Sequence, residues 1–340
     1  MNNEILKKIP KVDLHCHLDG SIRTGTILDL ARAVGHKLPA DTVEELRPYV
    51  RVPEGCRSLG EFLERFETFY PLLKNPQALE RISYELLRDT SAENMKYLEI
   101  RFAPVLQKDE GFSIPAVIES VLKGIERGEK EFPVRCGVIL CLYRGTTLED
   151  SLETARSAVR YRDYGVCGVD VAGDESRYGL SDFRKPVEIC REGGLSLTVH
   201  AGEAGGPENI KQALELGADR IGHGVALIKD PALMEEVAEK KIPLEICITS
   251  NVQTQVVEDY SEHPFLKLID SGVRVTLNTD DRGVSGIDMT YEYSKALELG
   301  LSPEGLEQVI LEGASAAFLP EGERKRLRKE IQEELERVIR

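Results

Sequence analysis

Apolar and polar positions alternate between two regimes along the chain. Short, nearly continuous apolar runs of strand length occupy residues 12–15, 96–103, 134–142, 166–172, 195–200, 219–223, 242–247 and 273–278. Between them lie longer segments whose apolar residues return every three or four positions, the spacing of a helix with one buried face. Runs this continuously apolar leave no wet face, as expected of strands covered on both sides in a parallel sheet. Eight strand–helix units predict an α/β fold, a (β/α)₈ TIM-type barrel. The 340-residue length suits a single barrel domain over residues 1–340, since such barrels take ~250 residues before insertions.

One interval breaks the rhythm. Residues 16–95 separate the first two strands, which predicts a helical insertion at about 24–94. Within it Leu59, Phe62, Leu63, Phe66, Phe69 and Tyr70 recur at helical spacing. They fit core packing, an aromatic cover over the barrel mouth, or each for different residues. The charged tail at about 321–340 carries Leu327, Ile331, Leu335 and Ile339 on one stripe, a docked C-terminal helix. Solenoid repeats and linker-like tracts are absent.

Composition narrows the class. The chain is 41% hydrophobic and 30% charged, with no run near the ~18 apolar residues of a membrane span. Its opening residues lack a signal-peptide core, so a soluble, cytoplasmic protein is expected. A net charge of −15 argues against nucleic acid or anionic membrane as partners. Seven cysteines, none in a CxxC pair, argue against a disulfide framework. Cys136, Cys141, Cys167 and Cys247 sit in strand-like runs and read as buried, reduced thiols.

The candidate chemistry stands at the C-terminal ends of the strands, where barrel enzymes keep their active sites. His15 and His17 project to the same side of an extended chain and can grip one ion together. His200 and Asp280 add a third nitrogen and an oxygen, a donor set suited to zinc. Four of the six histidines lie at strand ends; His36 and His263 stand in polar surroundings and read as surface or loop residues. Glu203 follows His200 beyond a glycine and can approach the metal without ligating it. Asp281 cannot easily ligate beside Asp280, leaving it to accept a proton or hydrogen bond, or to cap the next helix.

The segments His15-Cys16-His17-Leu18-Asp19-Gly20, Val171-Ala172-Gly173-Asp174-Glu175, His200-Ala201-Gly202-Glu203, Arg220-Ile221-Gly222-His223-Gly224, Thr249-Ser250-Asn251-Val252-Gln253-Thr254 and Leu277-Asn278-Thr279-Asp280-Asp281 resemble, in order, the motifs of the adenosine deaminase family. The resemblance implies one Zn²⁺ per chain on His15, His17, His200 and Asp280. It implies Glu203 as proton donor to purine N1, with His223 and Asp281 orienting and activating the attacking water. His17, Asp19, Gly173 and Asp281 would meet the substrate, Asp19 through the ribose 5′-hydroxyl and Gly173 through its N–H, although Gly173 also fits a simple turn. The implied reaction converts adenosine or 2′-deoxyadenosine and water to inosine or deoxyinosine and ammonia, in purine salvage.

Arg282 and Ile248 stand where many members have proline, and Arg282 adds a cation near the barrel mouth. Rival substrates for the same chemistry are adenine, 6-aminodeoxyfutalosine, a 5′-substituted adenosine and an N6-modified nucleotide. Asp19, where adenine deaminases resemble HLEG, favours a nucleoside. A two-metal amidohydrolase would want a bridging ligand at the end of strand four, for which only Glu175 lies close. A catalytically inert barrel would tend to lose a ligand or Glu203, and none is missing. Fe²⁺ and Co²⁺ suit the same donors as zinc, and sequence leaves the oligomeric state open.

Overall fold

In the computed structural model, which describes residues 1–53, 55–56 and 58–339, each apolar run contains a strand. These are β1 (Lys11–His17), β2 (Met95–Phe102), β3 (Arg135–Tyr143), β4 (Val166–Ala172), β5 (Ser196–Ala201), β6 (Arg220–His223), β7 (Leu244–Ile246) and β8 (Val275–Leu277). They pair in parallel in sequence order, with helices such as Ile114–Glu131, Leu148–Arg160 and Pro231–Glu239 in the crossovers. This is the (β/α)₈ barrel.

The runs at 242–247 and 273–278 yield strands of only three residues. Side chains and a single residue then replace ladder at the closing seam. Leu14 N donates to Asn278 Oδ1 at 3.0 Å, Asp280 N donates to His15 O at 2.8 Å, and His17 N donates to Asp280 O at 2.8 Å. Asp280 thereby joins the last strand to the first with both of its backbone polar groups.

The long interval after β1 holds the helices Thr24–Val34, Val43–Val50, Leu59–Glu67 and Pro76–Ala92. Ser58 starts the third of these by accepting from Glu61 N at 3.2 Å. Glu54 and Arg57, inside the expected insertion, lie outside the described residues. The tail forms the helix Glu321–Ile339, which buries Leu327, Ile331 and Leu335; Arg340 lies outside the described residues. No helix among the described residues is long and apolar enough to cross a membrane. None of the seven cysteines forms a disulfide. Cys141 and Cys247 are buried, whereas Cys136 and Cys167 are only half-buried. Each of the latter two is the second residue of its strand, at the barrel's N-terminal rim.

The barrel interior is not uniformly apolar. Glu99, Arg101, Asp170, Arg220 and Glu245 meet there with almost no exposure. Arg101 reaches Asp170 Oδ2 at 2.9 Å and Glu245 Oε2 at 2.8 Å. Arg220 reaches Glu245 Oε1 at 2.6 Å, pairs with Glu99, and lies over the Phe318 ring. Burial alone would raise the Glu245 carboxyl, but the two guanidinium groups outweigh it and hold its pKa well below the usual carboxylate range. Removing one cation leaves buried carboxylates unpaired. Arg101→Met should destabilise the protein by about 3–5 kcal/mol, seen as a lower Tm and denaturation midpoint; an unchanged midpoint would show the network to be dispensable.

Candidate metal centre and substrate cavity

The strand ends deliver His15, His200, His223 and Asp280 to one point, with one ligand atom from each lying within 4.8 Å of all the others. His17 joins the same cluster, its Nε2 standing 3.3 Å from Asp280 Oδ1 and 3.4 Å from His200 Nε2. The sequence-assigned ligands His15, His17, His200 and Asp280 are thus together, and His223 stands equally near. His223 and Asp280 hold φ of +58° and +59°. Left-handed backbone in residues other than glycine is a strain that concentrates at functional sites.

The interior network aims the rings. Glu245 Oε2 lies 2.9 Å from His15 Nδ1, and Asp170 Oδ2 lies 2.8 Å from His200 Nδ1. A carboxylate behind Nδ1 leaves Nε2 free to bind a metal, the usual arrangement behind a ligating histidine. His15 Nε2 is buried 3.2 Å from Asp280 Oδ1 without an aligned hydrogen bond, the placement of two donors that share an ion rather than a proton. Imidazole nitrogens with one carboxylate fit a divalent metal of the zinc type.

Beside the cluster opens a cavity of about 630 Å³. On its polar wall stand Glu203, Asp281, His17 and His223, and toward another part Asp19 and Gly173. Leu59, Phe62, Leu63, Phe66 and Tyr70 of the insertion also line it, while Phe69 is buried outside that lining. Both functions foreseen for this apolar stripe are therefore present. Tyr70 O–H donates to Asp19 Oδ2 at 3.0 Å, and Gln107 Nε2 donates to the same oxygen at 3.4 Å. Burial raises the Asp19 pKa to about 6 despite these donors.

The three acids nearest the cluster are driven apart. Burial opposes charge on Asp280, yet His15 and the other imidazoles outweigh it and hold its pKa well below the usual value. Burial, followed by repulsion from Asp280 and Asp19, raises Asp281. Burial, then repulsion from Asp280 and Glu175, raises Glu203 well above the ordinary glutamate range. The shift is in the direction that favours a proton on Glu203, as a group that gives one requires. Asp281 occupies the N-cap position of the helix Arg282–Ser285, as the alternative reading had it, but its side chain makes no capping bond and its Oδ1 is buried without a partner. Its approach depends on Gly20, where a Cβ would fall 1.6 Å from Asp281 Oδ1. Gly173 has φ +96°, and a Cβ there would press on Tyr143 and Arg144 at 3.2–3.3 Å.

Three sequence expectations change. His263 is not a surface residue: it is 7% exposed, drawn inward by bonds to Asn251 and Phe265. Arg282 does not line the cavity; its guanidinium turns outward to the Glu93 carboxylate. Glu175 is unavailable as a bridging ligand, because it accepts from Gly202 N, Gly205 N and Asn209 Nδ2 at 2.9–3.0 Å and so braces the loop carrying Glu203. Ile248 opens the helix Ile248–Gln253, whose first amides face the buried Glu292 carboxyl; proline would supply no N–H there.

Sequence reasoning did not single out Asp170, Glu245 or Arg144. Asp170 and Glu245 were visible as lone acids inside runs read as buried on both sides. Arg144, also buried, donates to Val171 O, Gly173 O and His200 O, tying together the ends of β4 and β5.

The family model described as adenosine deaminase matches residues 10–334. An adenosine deaminase of Clostridium botulinum (strain 657 / Type Ba4) is 38% identical over 328 residues, covering 96% of this chain and 99% of that relative. One from Clostridium perfringens is 36% identical, again over 96% of this chain and 99% of the relative. Among solved structures, the apo N6-methyl-AMP deaminase of Arabidopsis thaliana superposes with a TM-score of 0.86 at 29% identity, covering 98% of each chain.

The one such cluster among the described residues predicts one tightly held divalent ion per chain by elemental analysis, and its loss in His15→Ala. Two equivalents, both needed for turnover, would contradict a mononuclear centre.

Proposed function

The chain belongs to the adenosine deaminase family, and from that premise we propose that it is a zinc-dependent enzyme of purine salvage, acting in the cytoplasm. It hydrolyses adenosine and 2′-deoxyadenosine to inosine or deoxyinosine and ammonia. The observation that carries this reading is the buried Glu203, its carboxyl pushed toward the protonated form, facing a cavity it shares with an imidazole–carboxylate cluster. Proton donor and metal ligands meet at one place where a six-membered ring can lie.

His15, His17, His200 and Asp280 are the residues that hold the metal. When bound there, zinc acidifies water to a pKa near 7 and so supplies a nucleophile at neutral pH. Glu203 gives its proton to N1 as the water oxygen bonds to C6, so the ring can take up the electron pair. Asp281, with its unpartnered oxygen, accepts from the attacking water, and His223 orients that water from the other side. The C6–N bond then breaks and ammonia leaves with the proton that Asp281 took from the water, while the remaining hydroxyl proton returns to Glu203 as the C6 carbonyl forms. Gly173 presents its N–H to the ring edge from a left-handed backbone that leaves little room for a Cβ beside Tyr143 and Arg144. Asp19 accepts from the ribose 5′-hydroxyl.

Substrate charge separates the readings. Among the described residues, no lysine or arginine lines the cavity, whereas Asp19 does. A 5′-phosphate of the kind carried by N6-methyl-AMP would meet no cation among the described lining residues. With Arg282 turned away, the cavity suits an uncharged nucleoside.

Glu203→Gln should keep metal content and Tm but lower kcat for adenosine by roughly 10²–10⁴-fold, the usual worth of a positioned general acid. Turnover per metal within about tenfold of wild type, together with lost metal or stability, would reduce Glu203 to a structural role. Asp19→Ala should lower kcat/KM for adenosine while leaving adenine, which has no sugar, nearly unaffected. An equal loss on both would remove Asp19 from ribose recognition.

A further inference from the structure

We infer that His263, acting through Asn251, fixes which ring nitrogen of His223 carries its proton, so that His223 presents an N–H donor to the reaction rather than a metal-binding lone pair. This deepens the deaminase reading and rests on it for the reaction, although the protonation pattern itself does not.

The chain of donors starts at a group whose role admits no choice. The backbone N–H of Phe265 can only donate, and it points to His263 Nδ1 at 3.2 Å. His263 Nδ1 is therefore an acceptor. Burial lowers the His263 pKa to about 4, so the ring is neutral and its one proton sits on Nε2. That nitrogen lies 3.2 Å from the Asn251 side chain, which must meet it with its oxygen. The Asn251 amide is fully buried, and its –NH₂ is thereby turned toward His223 Nδ1 at 3.0 Å. An amide orientation that diffraction alone rarely distinguishes is thus set by a main-chain donor.

His223 Nδ1 consequently accepts, and in the neutral ring the proton belongs to Nε2. Nε2 faces the reactive groups, 3.7 Å from Glu203 Oε2 and 3.9 Å from Asp280 Oδ2. His15 and His200 have the opposite arrangement, since the carboxylates behind their Nδ1 atoms make those nitrogens the donors and leave Nε2 as a lone pair. Four imidazoles crowd one cluster, and what stands behind each of these three decides its task. Carboxylate-backed rings ligate; the amide-backed ring donates. His263 is a positioning residue two bonds removed from the chemistry, which accounts for a buried histidine that touches neither cavity nor cluster.

Asn251→Asp tests this without changing shape, because a carboxylate accepts from both histidines and would move the His223 proton to Nδ1. In the metal-loaded protein, long-range ¹⁵N–¹H correlation on ¹⁵N-histidine should show the His223 proton on Nε2 in wild type and on Nδ1 in Asn251→Asp. The variant should keep its metal and lose kcat by about 10²–10³-fold, the usual worth of one donor aimed at developing charge, with KM changed much less. His263→Gln can still donate to Asn251 and should keep the wild-type spectrum with kcat within a few-fold. His263→Leu should lose ~10–100-fold in kcat and show mixed protonation of His223. A wild-type proton on Nδ1 of His223, or equal effects of His263→Gln and His263→Leu, would overturn the inference. Neither the spectrum nor that comparison needs Asn251→Asp to fold. If wild type fails to turn over adenosine, the function reading falls while the spectrum still decides the protonation.

Discussion

Two arginines buried inside a β-barrel make the rest of the site possible. Arg101 and Arg220 favour the ionised forms of Asp170 and Glu245 where burial would otherwise disfavour them. Ionised Glu245 and Asp170 in turn hold His15 and His200 by their Nδ1 atoms. Their Nε2 atoms converge with Asp280 only because that support lies beneath them. A purely apolar barrel of the same topology could present the histidines, but nothing in it would fix their rotation or tautomer.

Closure of the barrel and assembly of the cluster are one event. The first and last strands meet through Asn278 and the backbone of Asp280, and Asp280 is also the cluster's carboxylate. Its left-handed backbone follows from doing both. Stability and site geometry therefore share residues, and changes at this seam are expected to move both together, unlike changes at Glu203, which is braced by a separate loop held on Glu175.

The strand order, the position of the insertion and the residues that meet at the strand mouths were legible because each leaves a local mark. Apolar runs mark strands, and His15, His17, His200 and Asp280 stand at their ends. What escaped was set by distant packing. His263 has polar neighbours in sequence, and only the folded loop buries it against Asn251. Arg282 lies beside Asp281, but the backbone turn after Asp281 sends its side chain to Glu93 on the barrel's outside. Asp170 and Glu245 showed themselves as charges within buried strands, yet their partners on other strands could be known only from the barrel's register. Asp281 does stand at an N-cap position, and only the fold shows that its side chain makes no capping bond there.

Family membership leaves a choice among purines, and we propose that the cavity makes it: among the described residues its lining carries Asp19 and no lysine or arginine, beside apolar side chains of the insertion. The most direct measurement is ammonia release by the metal-loaded protein over a panel of adenosine, 2′-deoxyadenosine, adenine, AMP and N6-methyl-AMP, ranked by kcat/KM. The account predicts that the two nucleosides lead and that both nucleotides are poor substrates. A preference for adenine or for either nucleotide would contradict it.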